Sequence, residues 1–140
     1  MYKNKKDIIN KRNIILPIKP QYANKIINGE KKYEYRKRLC KESIGKIYIY
    51  ATSPVKMIIG EAQVIKKITM NKESLWEISK EQAGISEKSF FEYFQKSVNG
   101  SAYYLGNAQK YKKPLSLKSI GIHYTPQSYV YIGEIFEEKL

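Results

Sequence analysis

The sequence has few of the residues on which metal sites and several classes of enzyme depend. Among 140 residues there is one cysteine, Cys40, and one histidine, His123. A single thiol cannot form an intramolecular disulfide, and no spacing in the sequence indicates a zinc site, a Cys–His pair or a Ser–His–Asp triad. We therefore predict no metal and no cofactor, and we expect His123, in the segment GIHYTPQS, to lie in a loop and to be structural or exposed.

Long apolar runs and acidic residues are also scarce. No apolar segment approaches the length of about 18 residues that a membrane span needs, and residues 1–13 lack the apolar core of a signal peptide. A soluble, cytoplasmic protein without membrane contact is predicted.

Only 13 residues are acidic against 26 Lys and Arg, so the formal net charge is +13. Such an excess favours polyanionic partners, most commonly nucleic acid, although an AT-biased genome rich in Lys, Asn, Ile and Tyr codons is an alternative explanation.

The positive charge is concentrated at the beginning of the chain. Residues 1–38 contain twelve Lys or Arg and three acidic residues. Residues 1–13 are predicted to form a basic N-terminal arm that contacts the backbone of a nucleic acid. Residues 14–140 are predicted to form one domain, because a chain of this length can bury a single core.

The pattern along the chain predicts short strands and three helices. The strand IILPIKP ends at Pro20, and a helix over about 20–28 follows, with Gly29 as its left-handed stop. The segments KYEYRKR and KIYIYA alternate with period two, and VKMIIGEAQVIKKI predicts a long strand with a bulge or a bend at Gly60. Two helices are predicted over about 72–82 and 87–97, the second presenting Phe90, Phe91 and Phe94 to a core. Two closing strands complete an α+β domain around a small curled sheet or barrel.

One stretch carries a specific resemblance. The segment ILPIKPQYANKIINGEKKYEYRKR, followed by IYIYATSPVKMIIGEAQV and later by YKKPLSL and PQS, resembles the ASCH family of the PUA-like superfold. Its most specific part is the pattern G-x-K-x-x-E-x-R, which Gly29, Lys31, Glu34 and Arg36 fulfil and which we call the signature. The resemblance implies a small PUA-like β-barrel of five or six strands with flanking helices. It also implies a cleft beside the first helix, lined by the signature and by the loop after IYIYA.

The resemblance implies a function in RNA biology, with three alternatives. Members of the family are thought to bind RNA, some bacterial relatives remove the acetyl group from N4-acetylcytidine, and at least one branch is reported to cleave RNA. We expect RNA, or another nucleic acid, as the partner. The leading expectation is a binding module that recognises one nucleotide or modified base in a basic cleft. An amidohydrolase and a weak ribonuclease are the alternatives, and the oligomeric state is not predicted.

The candidate binding residues are chosen for charge and position. Residues 34 and 36 are two apart on a predicted strand, so their side chains share a face. Arg36 and the lysines are suited to a phosphate or a base carbonyl, and Glu34 to a base amino group such as cytosine N4. An ion pair that only tethers helix to barrel is the alternative. Tyr50 is chosen for base stacking because it ends a strand beside a turn. The predicted ligand-binding residues are Lys19, Lys31, Glu34, Arg36, Tyr50 and Ser53.

The catalytic candidates are Lys31, Glu34 and Glu61. In the amidohydrolase branch, the position of Glu34 resembles a threonine nucleophile that follows a lysine by three residues. A carboxylate cannot form the same ester as a lysine-activated hydroxyl, so Glu34 argues against that route here. Cleavage of RNA would require a base, an acid and phosphate-stabilising groups, for which Glu34, Tyr50, Lys31 and Arg36 are candidates.

Overall fold

The computed structural model describes residues 11–134, which form six strands and three α-helices with two short 3₁₀ segments. No helix among these residues is long and apolar enough to cross a membrane. In chain order the elements are β1 (Arg12–Ile18), α1 (Pro20–Ile27), β2 (Tyr33–Tyr35), β3 (Ile44–Ala51), β4 (Met57–Asn71), α2 (Lys72–Ser79), a 3₁₀ turn (Lys80–Gln82), α3 (Glu87–Tyr93), β5 (Asn99–Leu115), a second 3₁₀ turn (Lys118–Ile120) and β6 (Val130–Ile132).

The helix ends follow from local chemistry. Pro20 begins α1, where its missing N–H is not needed, and Gly29 after the helix has a φ of +87°. The Asn71 side chain caps α2 by accepting hydrogen bonds from the N–H groups of residues 73 and 74. The Ser86 side chain caps α3 in the same way. The three predicted helices are thus confirmed, but α3 ends at Tyr93 because the chain turns there toward β5.

The strands form one mixed sheet in the order β2-β5-β4-β3-β1-β6. The pair β1–β3 is parallel, and the other neighbouring pairs are antiparallel. The register of β4 against β5 shifts between Ile58 and Gly60, as the predicted bulge requires. A Cβ at Gly60 would lie 2.3 Å from the Gln109 carbonyl oxygen, so the close approach of the two strands requires glycine there.

The predicted α+β class is confirmed, but the predicted barrel is wrong, because the sheet is not closed. Its two edge strands, β2 and β6, have three residues each and do not pair with one another. A closed barrel needs a continuous ladder between its edges. In this protein one side-chain hydrogen bond, from the Arg36 guanidinium to the Pro17 carbonyl, joins the end of β2 to β1.

Both faces of the sheet are buried at β3, one of its inner strands. One face presents Ile47, Ile49 and Ala51 to the core beneath α1. The other presents Tyr48 and Tyr50 to a second apolar cluster. The predicted alternation of KIYIYA is therefore present, and both sets of side chains pack in a core.

The segment between β4 and β5, residues 72–98, forms a helical insertion with its own core. Phe90 and Phe94 are 0% and 1% exposed and pack with Leu75, Trp76 and Tyr35 of β2. Phe91, predicted to be buried with them, is only partly buried. The insertion is thereby attached to the strand that carries Glu34.

The beginning of the described chain differs from the prediction for the arm. Strand β1 begins at Arg12, so Arg12 and Asn13 belong to the sheet. Asn13 accepts a hydrogen bond from the Lys46 backbone N–H at 3.1 Å. Lys11 immediately precedes β1, and the rest of the predicted arm, residues 1–10, lies outside the described residues.

Candidate functional site

A cleft of about 750 Å³ lies between the start of α1, strand β2, helix α3 and the loop at residues 125–127. Its volume is within the usual range for small-molecule sites. Four of the predicted binding residues line it: Lys19, Lys31, Glu34 and Arg36. The short strand β2 and the helix that precedes it bring these four charged side chains to one place.

Glu34 and Arg36 form an ion pair at the base of the cleft. The Nε and Nη2 atoms of Arg36 each lie 3.0 Å from the same carboxylate oxygen, Oε2. The Glu34 side chain is 9% exposed and that of Arg36 is 21% exposed. The other carboxylate oxygen, Oε1, lies 3.8 Å from the Lys31 ammonium, which is beyond hydrogen-bonding distance, and no other described residue donates to it. This oxygen is therefore available to accept a hydrogen bond from a ligand.

Lys31 is almost fully buried, with 2% of its surface exposed. Its ammonium donates to the Ala83 carbonyl at 2.6 Å and lies 4.8 Å from the centre of the Tyr35 ring and 5.5 Å from that of Tyr22. Burial lowers the pKa of Lys31 to about 8, although the nearby Glu34 carboxylate acts in the opposite direction. At neutral pH the group is a cation held close to its deprotonation range.

The helical insertion holds this part of the chain through its own backbone. Three consecutive carbonyls, of residues 82, 83 and 84, accept hydrogen bonds from the Lys32 N–H, the Lys31 ammonium and the Lys25 ammonium respectively. Gly84 has a φ of +67°, and a Cβ there would lie 2.6–2.8 Å from the Lys31 stem. The turn at residues 82–84 therefore fixes where Lys31 lies.

Aromatic and polar side chains that the sequence analysis did not select complete the cleft. Tyr22 and Tyr35 lie next to Lys31, and Ser89, Glu92 and Tyr93 line the wall that α3 provides. These three α3 positions have i, i+3, i+4 spacing, so they share a helix face. That spacing was the signal in the sequence that could have identified them.

Tyr50 and Ser53, two of the predicted binding residues, do not line the cleft. Tyr50 is 2% exposed and packs with Ile58 and Tyr111 on the face of β3 opposite to α1. Ser53 is exposed in the turn after β3, and its neighbour Thr52 lines the cleft instead. Periodicity predicted which residues of β3 share a face, but not which face the cleft adjoins.

Glu61, the third catalytic candidate, also lies elsewhere. Its carboxylate accepts a hydrogen bond from the Tyr111 hydroxyl at 2.9 Å and pairs with the Lys46 ammonium at 3.1 Å. It lines a separate polar cavity of about 660 Å³. His123 is exposed and does not line the cleft. The structure therefore does not bring Glu61 together with Lys31 and Glu34.

Comparisons with known proteins identify the relatives of this chain. Residues 16–115 match the ASCH domain family. A Zymomonas mobilis protein named ASCH domain-containing ribonuclease is 29% identical over 139 residues, covering 96% of this chain and 93% of that protein.

Solved structures of similar proteins support the same relationship. The crystal structure of the ASCH protein from Zymomonas mobilis has a TM-score of 0.80 at 28% identity and covers 91% of this chain and 90% of that one. A tyrosine-to-phenylalanine variant of the Zymomonas protein has a TM-score of 0.82 at 27% identity, with 89% and 92% of the two chains covered. The family match spans most of the chain, and the protein therefore belongs to the ASCH domain family.

Proposed function

We propose that this protein binds unpaired RNA and holds one nucleotide in the cleft around Arg36. The observation that carries the proposal is that only one of the two carboxylate oxygens of Glu34 accepts a hydrogen bond from within residues 11–134. Its Oε2 is neutralised by Arg36, while its Oε1 remains free to accept a hydrogen bond inside a cleft that cations and tyrosines line. The naming of a full-length relative as a ribonuclease supports RNA as the ligand.

The chemistry of the cleft matches the parts of a nucleotide. A carboxylate oxygen suits a base amino group, and a guanidinium suits a phosphate or a base carbonyl. Tyr22, which is partly exposed, offers aromatic surface for an unpaired base. Lys19 is exposed at the rim, and its side chain pairs with no acidic residue within 11–134, so it is available to a phosphate.

The experiment compares Glu34→Gln and Arg36→Lys with the unmodified protein. The probes are three fluorescently labelled RNA octamers, each made of one base (A, C or U). Their affinity is measured by fluorescence anisotropy, and folding is monitored by the melting temperature. Arg36→Lys removes the two-pronged guanidinium and should weaken RNA binding by roughly 5- to 150-fold, equivalent to about 1–3 kcal/mol. Glu34→Gln should alter the ranking of the three octamers, because an amide presents a donor as well as an acceptor.

The control is Lys66→Ala, which removes an exposed charge that does not line the cleft. It should change affinity only slightly. Similar losses of melting temperature in the two cleft variants, with unaltered RNA affinity and ranking, would instead mean that the ion pair only holds Arg36 in place for its hydrogen bond to Pro17, which joins β2 to β1. Breaking one partner of a buried pair typically destabilises a protein by about 3–5 kcal/mol.

Cleavage of the bound strand is a second candidate function, favoured by the name of the Zymomonas relative. Attack by a 2′-hydroxyl on the adjacent phosphate needs a proton acceptor and cations that stabilise the developing charge. The Glu34 carboxylate is the candidate proton acceptor, and Lys31, which is still protonated at neutral pH, and Arg36 are the candidate cations. End-labelled RNA should be shortened by the protein and left intact by Lys31→Met. Intact RNA in both samples would leave binding as the function, and release of cytidine from N4-acetylcytidine would point to the amidohydrolase alternative.

A further inference from the structure

We propose that the cleft has an outer site for a second nucleotide, formed by Tyr93 of α3 and Lys37 of the loop after β2. The inference rests on the proposed function and specifies its ligand class. The inner site around Glu34 and Arg36 would hold one nucleotide, and the base of its neighbour would stack on Tyr93. The ligand is then a strand of at least two nucleotides and not a free nucleoside.

Tyr93 is an exposed aromatic residue held in a fixed orientation. It lines the cleft, and 37% of its surface is exposed. Its ring packs edge-on against Phe94, with ring centroids 4.8 Å apart and planes at 74°. Because Phe94 is itself buried, the tyrosine is anchored to the core of the insertion. A rigid, solvent-accessible ring at the margin of a cleft is the element on which single-stranded nucleic acids stack.

Lys37 places a positive charge beside that ring. Its ammonium lies 4.9 Å from the ring centre, and its backbone N–H donates to the Tyr93 hydroxyl at 3.3 Å. The ring and the hydroxyl of Tyr93 thus both contact Lys37, in the loop that follows β2. Aromatic rings next to cations are the usual composition of sites that follow a single strand without pairing to it.

Consecutive residues of this loop serve the two sites. The Arg36 guanidinium points to Glu34 and Pro17 at the base of the cleft, while the Lys37 ammonium lies over Tyr93. Two adjacent cations with different neighbours suit two successive phosphates of one strand. Glu92 lines the same wall of the cleft. Its negative charge would repel a phosphate, so the phosphate would lie nearer to Lys37 than to Glu92. The charges therefore favour one path for the strand.

The test measures the affinity of the same variants for two classes of probe. The probes are the four ribonucleoside 5′-monophosphates and the RNA octamers of A, C and U. Tyr93→Leu should weaken octamer binding by about 5- to 150-fold, the range for loss of one stacked base, and should change monophosphate binding by less than about twofold. Tyr93→Phe keeps the ring and should retain octamer binding.

A matched control exists elsewhere on the surface. The Lys66 ammonium lies 5.9 Å from the centre of the Tyr104 ring, so Lys66→Ala removes the same charge and the same type of contact. Lys37→Ala should weaken octamer binding, whereas Lys66→Ala should weaken it much less. Melting temperatures of all variants show whether any decrease in affinity arises from unfolding.

Three results would contradict the inference. Tyr93→Leu could leave both classes of probe unaffected, or it could weaken both equally, and in either case there is no separate outer site while the proposed function stands. Failure of the unmodified protein to bind either class of probe would overturn the proposed function and this inference with it.

Discussion

At the scale of single residues, Lys31 combines properties that rarely occur together. It is 2% exposed, it is charged at neutral pH, and its hydrogen-bond acceptor is a neutral carbonyl. The nearest carboxylate, Glu34, is 3.8 Å away and is already paired with Arg36. A buried cation whose neighbouring carboxylate is shared with an arginine destabilises the folded state unless it loses its proton. Lys31 therefore lowers the stability of the folded protein near neutral pH.

The stability of the protein should therefore rise with pH in the alkaline range. Unfolded Lys31 has the ordinary pKa of 10.5, whereas burial lowers the pKa to about 8 in the folded state. Between these values the unfolded chain binds more protons, so the free energy of unfolding increases with pH, by about 2 kcal/mol from pH 7 to 9.5. Urea denaturation at the two pH values measures the change, and Lys31→Met should lack it.

The increase in stability should end at higher pH, because several buried tyrosines have the opposite effect. Burial raises the pKa of Tyr35, Tyr103 and Tyr111, so these phenols keep their protons in the folded state beyond the pH at which they ionise in the unfolded chain. Above about pH 10 the folded state therefore binds more protons, and stability should fall again. A flat profile across pH 7 to 9.5 in the unmodified protein would contradict the lowered pKa of Lys31.

The sequence was sufficient to predict the charged residues of the cleft, and insufficient for those that depend on packing. Lys31, Glu34 and Arg36 are close in the chain, so a local pattern and a family resemblance identified them. Tyr50 was selected because it ends a strand beside a turn, and Glu61 by resemblance to a carboxylate of the amidohydrolase branch, and neither ground reveals what packs against each face of a strand. Tyr93 was overlooked although its spacing with Ser89 and Glu92 shows that the three share a helix face, because where that face lies depends on how the insertion packs.

At the scale of elements, the insertion at residues 72–98 determines the cleft as much as the strand that carries the signature does. Its helix α3 provides one wall, and its turn at residues 82–84 provides the acceptors for Lys25, Lys31 and Lys32. The helices themselves were predictable from caps and apolar spacing. Their attachment to β2 was not, because it consists of aromatic packing between segments distant in the chain.

Replacement of Gly84 should test this attachment. Gly84→Ala combines a left-handed backbone, which disfavours alanine by about 1–2 kcal/mol, with a Cβ that collides with the Lys31 stem. We expect lower stability and weaker RNA binding. Gly121→Ala is the matched control, since Gly121 has a φ of +86° and its Cβ would meet nothing within 4 Å. Equal effects of the two substitutions on melting temperature and affinity would mean that contact with Lys31 is unimportant.

At the scale of the whole molecule, the positive charge and the open sheet are the main features. The formal net charge of +13 predicts binding to nucleic acid that weakens as salt is added. The barrel was wrongly predicted because strand count and alternation do not reveal whether edge strands pair. The sheet remains open because, within residues 11–134, β2 pairs only with β5 and β6 only with β1.

Removal of residues 1–10 should separate general attraction from binding in the cleft. These residues contain three lysines and one aspartate. If they bind the RNA backbone, the slope of log affinity against log salt should become shallower by about 0.7 for each phosphate that the shortened chain no longer neutralises. The ranking of the A, C and U octamers should stay the same, because the cleft is retained. An unchanged slope would assign these lysines a role other than RNA binding.

The hydrogen bond between Lys31 and residue 83 has a consequence for how function is mapped in this protein. The acceptor is a main-chain carbonyl, so it is present whatever side chain occupies position 83. A library of single substitutions would report Ala83 as a packing residue at most, although its peptide group sets the position of a central lysine. Replacing that peptide bond with an ester, which weakens the carbonyl as an acceptor, would reveal a contribution that side-chain scanning cannot detect.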